Sequence, residues 1–419
     1  MELINNLDKT DYDNFVKHHQ KSHFLQSYPW GEFEKEYDNW LPHYLGIKDN
    51  DTLVGATLLL EKKLLFGYKF FYAPRGYIID FNNNTLLEET SRLLKNYAKN
   101  NKAIFIKINP DIKLENLDIE GNILPGVNNF PLIDKLKKLG YKHLGFYKNF
   151  DRSEPRYTFR LDLTKGLEYI TNNLHPTTKK IIKRGNPYQL ELTKNNSEDI
   201  ESFYITMLET SKREGVLYHD IEYYRHFYQE LHKENMSDLY VVKANIPKIK
   251  EIELAKIIEL TAEKDKLVTK NDLKNQNKKQ ELINQIQKIE KELKLLSEIK
   301  EDKLVLSSIL TAKYGNKVWT VHGGNHSLLR ELNANYYIYY EIIKDAITEG
   351  YQLIDFFGTT GDPNINNPVY GIHLFKKRLG GEYTEFIGEF DFIINKPLYF
   401  IFITLIPIYR KIKRTFIKK

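Results

Sequence analysis

Cysteine is absent from this chain of 419 residues, and that absence excludes several kinds of site. Without thiols the protein has no disulfides, no thiolate metal ligands, no iron–sulfur clusters and no cysteine nucleophile. Residues 1–6 contain neither a basic nor an apolar segment, so they do not predict a secretory signal. Both observations favour a cytoplasmic protein.

Motifs for cofactor chemistry are lacking as well. The sequence has no P-loop, and no serine, histidine and aspartate stand in a pattern that indicates a catalytic triad. Residues 317–321 predict a strand, and a helix is predicted from about residue 328 to residue 349. His322 and His326 between them suggest a metal site at first, but they flank two glycines, and no nearby cysteine or carboxylate completes a ligand set. We therefore expect neither a metal nor a cofactor.

Length and composition predict more than one domain. A chain of 419 residues, of which 41% are hydrophobic, is too long for one small core, so two domains are the default expectation. The net charge of +6 is a mild excess that permits a polyanionic partner without requiring one.

Glycine and aromatic residues are missing from residues 249–303. Between residues 282 and 296 an apolar residue recurs at alternating spacings of four and three, which predicts a heptad stripe on a helix. A weaker stripe precedes it, and a polar segment at residues 269–277 separates the two. This arrangement favours an antiparallel coiled-coil hairpin at residues 246–305 over a homodimeric coil. We expect a Gly/Ser linker in place of residues 249–303 to leave the rest folded.

The stretch at residues 351–391 combines the features of a ligand site. Residues 353–357 are mostly apolar and predict a buried strand, and Gly358 after them allows close approach of backbone to a ligand. A loop with glycine and proline then leads to a short helix that ends in Lys376, Lys377 and Arg378. This fixed positive charge suits an anionic substrate or a developing oxyanion.

Residues 24–37 predict a helix near the N-terminus. Ser27 is a candidate N-cap, and Trp30, Phe33 and Tyr37 follow at helical spacing. We expect Trp30 to lie in the core.

Two loops that follow predicted strands carry polar candidates. Arg75 either contacts a carboxylate or phosphate of a ligand, or braces its own loop through Asp80. Asn109 ends a buried strand, and an amide does not usefully accept a proton at neutral pH, so we do not expect a general base there. The neighbouring Asp111 is assigned no role.

Positive charge is concentrated in two other places. The spacing of four cations at a predicted helix end puts them on one side; they are Lys179, Lys180, Lys183 and Arg184. Near the C-terminus, twelve apolar-leaning residues at 398–409 precede six lysines and arginines. That segment is too short to span a bilayer and contains Pro407. It predicts either attachment to a membrane surface or a helix packed on the first domain.

Three motifs make the chain recognisable: Asp355-Phe-Phe-Gly358, Phe375-Lys376-Lys377 and Ile387-Gly388-Glu389-Phe390. In this order they resemble the signature of the FemABX peptidyltransferases, the Fem and Mur enzymes that build interpeptide bridges in Gram-positive peptidoglycan. The resemblance extends from about residue 24 to residue 399.

The resemblance implies an α+β fold with two domains of the acyl-CoA N-acyltransferase (GNAT) type, each a mixed sheet flanked by helices. The first domain would comprise residues 1–152 joined by residues 392–419. The second would comprise residues 153–391, with the antiparallel coiled-coil hairpin inserted in it.

The resemblance also implies roles for individual residues. Lys376 matches a family lysine close to the reacting ester and is the expected catalytic residue. Arg213 matches a family arginine that binds the diphosphate of the precursor, and Lys35 matches a family lysine that helps hold its nucleotide or pyrophosphate end. From the residues alone, Lys35 would be a solvated helix lysine and Arg213 a partner of Glu209 or Glu214. The other expected substrate contacts are Arg75, Tyr218, His322 and Phe375. The partner implied for the basic face of Lys179, Lys180, Lys183 and Arg184 is tRNA.

The implied activity is transfer of glycine, alanine or serine from aminoacyl-tRNA to lipid II, a lipid-linked peptidoglycan precursor, at the inner face of the plasma membrane. The acceptor would be the stem-peptide lysine amine or the growing bridge. Association with a second copy or a related transferase is compatible with the resemblance. The alternatives are a non-catalytic GNAT-like protein that binds RNA or membrane, and a transferase that acts on protein N-termini. Retention of Lys376, Arg213 and Lys35 together favours the tRNA-dependent aminoacyltransferase over these alternatives.

Overall fold

The computed structural model describes residues 1–150, 152–215, 219–267 and 273–405. Tyr218 and the basic C-terminal residues 410–419 lie outside the described residues. The strands form two seven-stranded sheets and one two-stranded sheet. Each large sheet combines antiparallel pairs with one parallel pair, so the predicted α+β class with mixed sheets is confirmed.

The first sheet contains strands from both ends of the chain. In spatial order its strands are β1 (Glu2–Ile4), β2 (Leu41–Asp49), β3 (Thr52–Lys63), β4 (Lys69–Ala73), β5 (Ala103–Ile108), β16 (Phe390–Ile393) and β8 (Tyr141–His143). Because β16 pairs with β5 and β8, the chain re-enters this sheet close to the predicted return at residue 392.

The second sheet is formed by the middle of the chain. In spatial order its strands are β10 (Glu191–Lys194), β11 (Leu239–Asn245), β12 (Lys303–Tyr314), β13 (Lys317–Asn325), β14 (Leu353–Thr359), β9 (Tyr157–Asp162) and β15 (Glu382–Glu385). The two-stranded sheet pairs β6 (Glu115–Leu117) with β7 (Ile123–Asn128).

Helices cover both large sheets. Those beside the first sheet are α1 (Lys9–His18), α2 (Tyr28–Tyr37), α3 (Asn84–Asn100), α4 (Phe130–Lys138) and α13 (Lys396–Phe400). Those in the rest of the chain are α5 (Gly166–Asn173), α6 (Pro176–Arg184), α7 (Ile200–Glu214), α8 (Ile221–Lys233), α9 (Ile246–Lys266), α10 (Leu273–Ser297), α11 (Ala334–Thr348) and α12 (Tyr370–Arg378). Among the described residues, no helix is long and apolar enough to cross a membrane.

A shared hydrophobic cluster joins the two halves of the molecule. Trp30 and Phe33 of α2 pack with Phe227 of α8 and, through Phe24, with Trp319 of β13. The Ser27 side chain accepts a hydrogen bond from the Trp30 amide and so caps α2, and Trp30 is buried, as predicted. Burial of these large rings fixes the position of α2 against α8.

The α9 and α10 helices contact each other, and both are rooted in the second half of the molecule. Ile249 and Leu296 near their ends belong to the hydrophobic core of the second sheet. Farther out, α10 buries Leu282, Ile286 and Ile289, which lie outside that core. The coiled-coil geometry stays a prediction, since residues 268–272 lie outside the described residues.

The described beginning of the C-terminal tail packs on the first sheet. The rings of Tyr399 and Phe402 each lie 5.4 Å from that of Phe105, and the Tyr399 hydroxyl donates to Asp391 at 2.7 Å. Phe400 and Ile401 remain exposed on the other side. The tail therefore begins as a packed helix that still presents an apolar side to solvent.

Three boundaries differ from the sequence predictions. The α11 helix begins at Ala334 instead of residue 328, because Leu329 and Asn333 both adopt left-handed conformations that interrupt a helix. The β13 strand continues through His322 to Asn325 instead of ending at residue 321 as predicted. The α10 helix begins at Leu273, within the segment predicted to be a polar turn.

The sequence predicts that a linker in place of residues 249–303 leaves the rest folded, but this replacement also removes Ile249 and Leu296, which are core residues. We predict instead that a Gly/Ser linker in place of residues 257–289 leaves the rest folded. Replacement of residues 249–303 should lower the free energy of unfolding markedly, since each lost core aliphatic costs about 2–5 kcal/mol. Denaturant unfolding of both variants tests this, and equal losses would contradict it.

Candidate functional site

The side-chain ammonium of Lys376 is held by two backbone carbonyls at the end of β14. Its Nζ donates to the oxygen of Gly358 at 2.6 Å and to that of Phe357 at 3.2 Å. The residue is only 9% exposed. We call this arrangement of Lys376 with the two carbonyls the lysine clamp. Among the described residues these are its hydrogen-bond acceptors, which leaves one of three N–H groups for a ligand.

Burial lowers the pKa of Lys376 to about 8, although Asp355 and Glu214 act in the opposite direction. An ammonium with this pKa is still mostly charged at pH 7 but gives up its proton more readily than a surface lysine. A cation that is desolvated and fixed by carbonyls stabilises a developing negative charge more effectively than one in water.

The backbone at Phe357 and Gly358 has an unusual conformation where its carbonyls accept from Lys376. Phe357 has a φ of +60°, which few residues other than glycine adopt, and a β-bulge interrupts the pairing of β14 with β9 here. A Cβ on Gly358 would lie 2.5 Å from the Phe150 ring and 2.6 Å from Pro155. Only glycine therefore fits between the clamp and this neighbouring loop.

A buried ion network supports the clamp from below. Arg160 of β9 binds Asp355 at 2.8 Å and both carboxylate oxygens of Asp111, at 2.9 and 2.6 Å. Burial alone would raise the pKa of Asp111, but the Arg160 guanidinium holds it well below its usual range. Asp355 also accepts from the Phe357 amide at 2.8 Å. Asp111, which had no assigned role, thus connects the first sheet to the clamp.

Arg75 and Asn109 brace the same region. The Asn109 amide accepts from the Arg75 backbone at 2.8 Å and donates to Tyr72 at 3.0 Å. The Arg75 guanidinium donates to the Pro155 carbonyl at 2.7 Å and lies 4.4 Å from the Phe386 ring. Arg75 therefore braces a loop as one reading predicted, but through Pro155 and not through Asp80.

Two half-buried glutamates with raised pKa values were not found from the sequence. Burial raises the pKa of Glu154 to about 7, with Glu389 adding to the shift and Arg75 opposing it. Burial also raises the pKa of Glu34 on α2 to about 8, and Glu154 contributes to that shift. The charge of Glu154, in the loop before β9, therefore acts on Glu34 of α2. No sequence motif distinguishes them from other glutamates.

Arg213 lies at the end of α7 and faces the end of β13. It donates to the Asn325 carbonyl at 3.1 Å and to Thr210 at 3.3 Å, and it pairs with Glu214 at 3.4 Å. Glu214 is also one of the charges that act on Lys376, so the structure brings Arg213 and the clamp to the same region. The pairing with Glu214 was one of the two structural alternatives for Arg213.

His322 is enclosed by aromatic side chains of α8. Its ring lies 5.2 Å from Tyr224, 5.4 Å from Phe227 and 5.7 Å from Tyr223. Burial, with a contribution from the nearby His219, lowers the pKa of His322 to about 3, so the imidazole is neutral. A neutral ring in such a cluster can give a ligand van der Waals contact and a hydrogen bond, but no charge.

The remaining residues predicted to contact substrate lie on different parts of the chain. Lys35 is exposed on α2 and binds Glu32 at 2.9 Å. Phe375 packs against Tyr336 and Tyr339 of α11, each at 5.0 Å, so its ring anchors α12 in the core. Tyr218 lies outside the described residues. The predicted contacts of Lys35, Phe375 and Tyr218 with substrate stay predictions.

The basic face of α6 is present and adjoins α12. Lys180, Lys183 and Arg184 are exposed, whereas the Lys179 ammonium donates to the Asn172 carbonyl at 3.1 Å. The Thr178 hydroxyl donates to the backbone carbonyl of Arg378 at 2.8 Å. The α6 helix therefore begins beside the end of the helix that carries Lys376.

One group of side chains among the described residues has the spacing of a metal site. Glu36, His226 and Glu230 have ligand atoms within 4.8 Å of one another. The Lys233 ammonium already pairs with Glu230 at 2.5 Å, however, and Glu36 is exposed. His326, which the sequence suggested as a ligand, accepts from the Leu328 amide at 3.1 Å instead.

Comparison with known proteins gives consistent relatives. The lipid II:glycine glycyltransferase of Staphylococcus saprophyticus is 29% identical over 424 residues, covering 99% of this chain and 98% of the relative. That of Staphylococcus epidermidis is 28% identical over 401 residues, covering 94% and 93%. A crystal structure of FemX superimposes with a TM-score of 0.74 and 27% identity, covering 95% of this chain and 99% of the other.

A family model extends over almost the whole molecule. It is described as the FemAB family and matches residues 7–406. The match includes every strand of the two large sheets except β1, together with the α9 and α10 helices and the lysine clamp. This chain therefore belongs to the FemAB family.

Proposed function

We propose that this protein transfers glycine from glycyl-tRNA to lipid II. The acceptor is the side-chain amine of the stem-peptide lysine or the amine of a growing bridge. Glycine is favoured over alanine or serine because the relatives above are lipid II:glycine glycyltransferases that align over nearly their full length. The lysine clamp is the observation that carries the proposal, because it supplies a fixed cation where an acyl-transfer reaction needs one.

The reaction demands little covalent chemistry from the protein. The acceptor amine attacks the ester carbonyl of glycyl-tRNA, a C–N bond forms, and the C–O bond to the ribose breaks. The amine loses one proton and the departing ribose hydroxyl gains one. The protein must hold amine and ester in line, which can lower the barrier by roughly 7–11 kcal/mol.

Lys376 stabilises the negative charge that develops during this reaction. Its remaining N–H donates to the tetrahedral oxyanion or to the departing ribose oxygen, while the carbonyls of Phe357 and Gly358 fix its position. Arg213 and Lys35 bind the diphosphate of lipid II, a contact present before and during reaction. The protein works at the inner face of the plasma membrane, where residues 410–419 contribute basic contacts with anionic lipid.

The product tests the proposal directly. With lipid II and glycyl-tRNA, and without ATP or added metal, we expect a mass increase of one or more glycine residues on the lysine amine. Alanyl-tRNA and seryl-tRNA serve as matched donors and should react poorly. Failure of glycyl transfer under these conditions, or a requirement for ATP with charged tRNA, would refute the proposal.

Substitutions at two cations should separate chemistry from binding. Lys376→Met retains the length of the side chain and removes the charge, so kcat should fall about 10²-fold or more with lipid II affinity nearly intact. Arg213→Met should weaken lipid II binding first.

Lys377→Met is the matched control for Lys376→Met, since the Lys377 ammonium pairs with Glu120 at 2.5 Å and is not part of the clamp. Its single-turnover rate should match that of the wild type. A near-normal rate for Lys376→Met would show that the catalytic assignment is wrong.

The pH dependence of the same variants gives an independent test. Because burial lowers the pKa of Lys376 to about 8, the ammonium is present below that pH and is lost as the pH rises through it. The ratio of wild-type to Lys376→Met single-turnover rates should therefore fall above about pH 8. Deprotonation of the acceptor amine affects both proteins equally and cancels in the ratio. A constant ratio would mean that the charge of Lys376 does not assist the reaction.

A further inference from the structure

A pocket of about 310 Å³ opens between α6 and α11, apart from the lysine clamp. Its walls include three tyrosines and four aliphatic side chains, which are Tyr188, Tyr337, Tyr340, Ile181, Ile182, Leu190 and Leu332. Its size and mostly apolar lining are those of a site for a small organic group. None of the contacts of the lysine clamp involves this pocket, and no sequence motif predicted it.

Two cations lie beside Tyr188 at this pocket, one from α6 and one from α9. The Arg184 guanidinium lies 5.7 Å from the ring of Tyr188, and the Lys256 ammonium lies 5.5 Å from that ring and donates to its hydroxyl at 3.1 Å. Lys180 and Lys183 are exposed on α6. Residues 174–190 contain no aspartate or glutamate, so nothing within this segment neutralises them.

The acidic groups beside the pocket are already paired. Glu253 of α9 binds Lys256 at 3.3 Å. Glu341 of α11 binds Lys344 at 2.8 Å, and the Lys344 ammonium lies 6.0 Å from the Tyr340 ring. The rim therefore does not oppose an anionic ligand. It combines flat aromatic walls with positive charge, which is the pairing that proteins use for single-stranded nucleic acid.

The pocket lies within reach of the lysine clamp. Thr178 near the start of α6 contacts Arg378, two residues beyond Lys376. From Thr178 to Gly185 at the pocket, α6 extends about 10 Å at 1.5 Å per residue. A strand end whose ester reaches Lys376 can therefore follow α6 and place a nearby base in the pocket.

We propose that the pocket binds one base of the single-stranded 3′ end of the donor tRNA, and that Lys180, Lys183 and Arg184 bind the adjoining phosphates. This inference rests on the proposed function, in which the donor is glycyl-tRNA. A small apolar ligand would not need the cations, and an anionic peptide would not need the aromatic walls. A nucleotide has an aromatic base that can pack against the tyrosines and a phosphate that can bind the cations.

Binding measurements with altered tRNA test the pocket. Glycyl-tRNA is compared with the same tRNA carrying an abasic nucleotide at each unpaired 3′ position in turn. Wild-type affinity should fall about tenfold at one position, because stacking of a base on an aromatic ring contributes on that scale. Tyr340→Ala should bind intact tRNA about tenfold more weakly and should be insensitive to the abasic change. Tyr340→Phe, which keeps the ring, should behave like the wild type.

Loss of the cations should change tRNA affinity in a different way from loss of the tyrosine ring. The double variant Lys183→Gln with Arg184→Gln should bind intact and abasic tRNA more weakly by the same factor, with a smaller dependence on salt. Lys138→Gln, on the exposed side of α4, is the matched control and should change neither. If Tyr340→Ala unfolds, Ile181→Trp, which fills the pocket from α6, takes its place.

The outcomes separate the two proposals. If glycine is transferred but neither Tyr340→Ala nor any abasic position weakens binding, the pocket inference is wrong and the proposed function stands. If only the cation variant weakens binding, RNA contacts the α6 surface and the pocket is again excluded. If the wild type neither binds tRNA nor transfers glycine, the proposed function fails and the pocket inference fails with it.

Discussion

The geometry of the site depends on the burial of Arg160 between two carboxylates. A guanidinium removed from water is stable only when its charge and its N–H groups are satisfied, and here Asp111 and Asp355 do so from opposite sides. Asp111 follows a strand of the first sheet and Asp355 lies within the second. The same ion network therefore fixes the relative position of the sheets and the backbone of the lysine clamp, since Asp355 also holds the Phe357 amide.

The clamp illustrates how a buried charge becomes useful. Two carbonyls offset part of the cost of removing the Lys376 ammonium from water, but burial still lowers its pKa to about 8. In the proposed reaction, an anionic transition state beside Lys376 would supply the missing counter-charge. Arg213 differs, because it is partly exposed and already bound to Asn325 and Glu214. Its surroundings suit steady binding of a diphosphate more than a change of charge during reaction.

The sequence predicted those features that depend on local periodicity or on a contiguous motif. The buried strand before Gly358, the short basic helix after it, the cap at Ser27 and the core position of Trp30 all follow from neighbouring residues. The partners of Arg75 could not be predicted in this way, because Pro155 is 80 residues away in the chain. The raised pKa values of Glu34 and Glu154 depend on burial between separate elements, which no local pattern reports. The start of α11 was missed because left-handed Leu329 and Asn333 override a favourable helical composition.

The α6 helix connects the predicted and the unpredicted parts of the molecule. Its four cations are visible in the sequence, but a basic helix face alone indicates only a solvated surface or a polyanion. The fold adds two facts: the start of the helix touches α12 beside the clamp, and its end borders a pocket walled by tyrosines. Those tyrosines come from the segment after α6 and from α11, more than 140 residues later in the chain. The proposed recognition of a nucleotide at this pocket therefore requires a fold in which α11 is packed against α6.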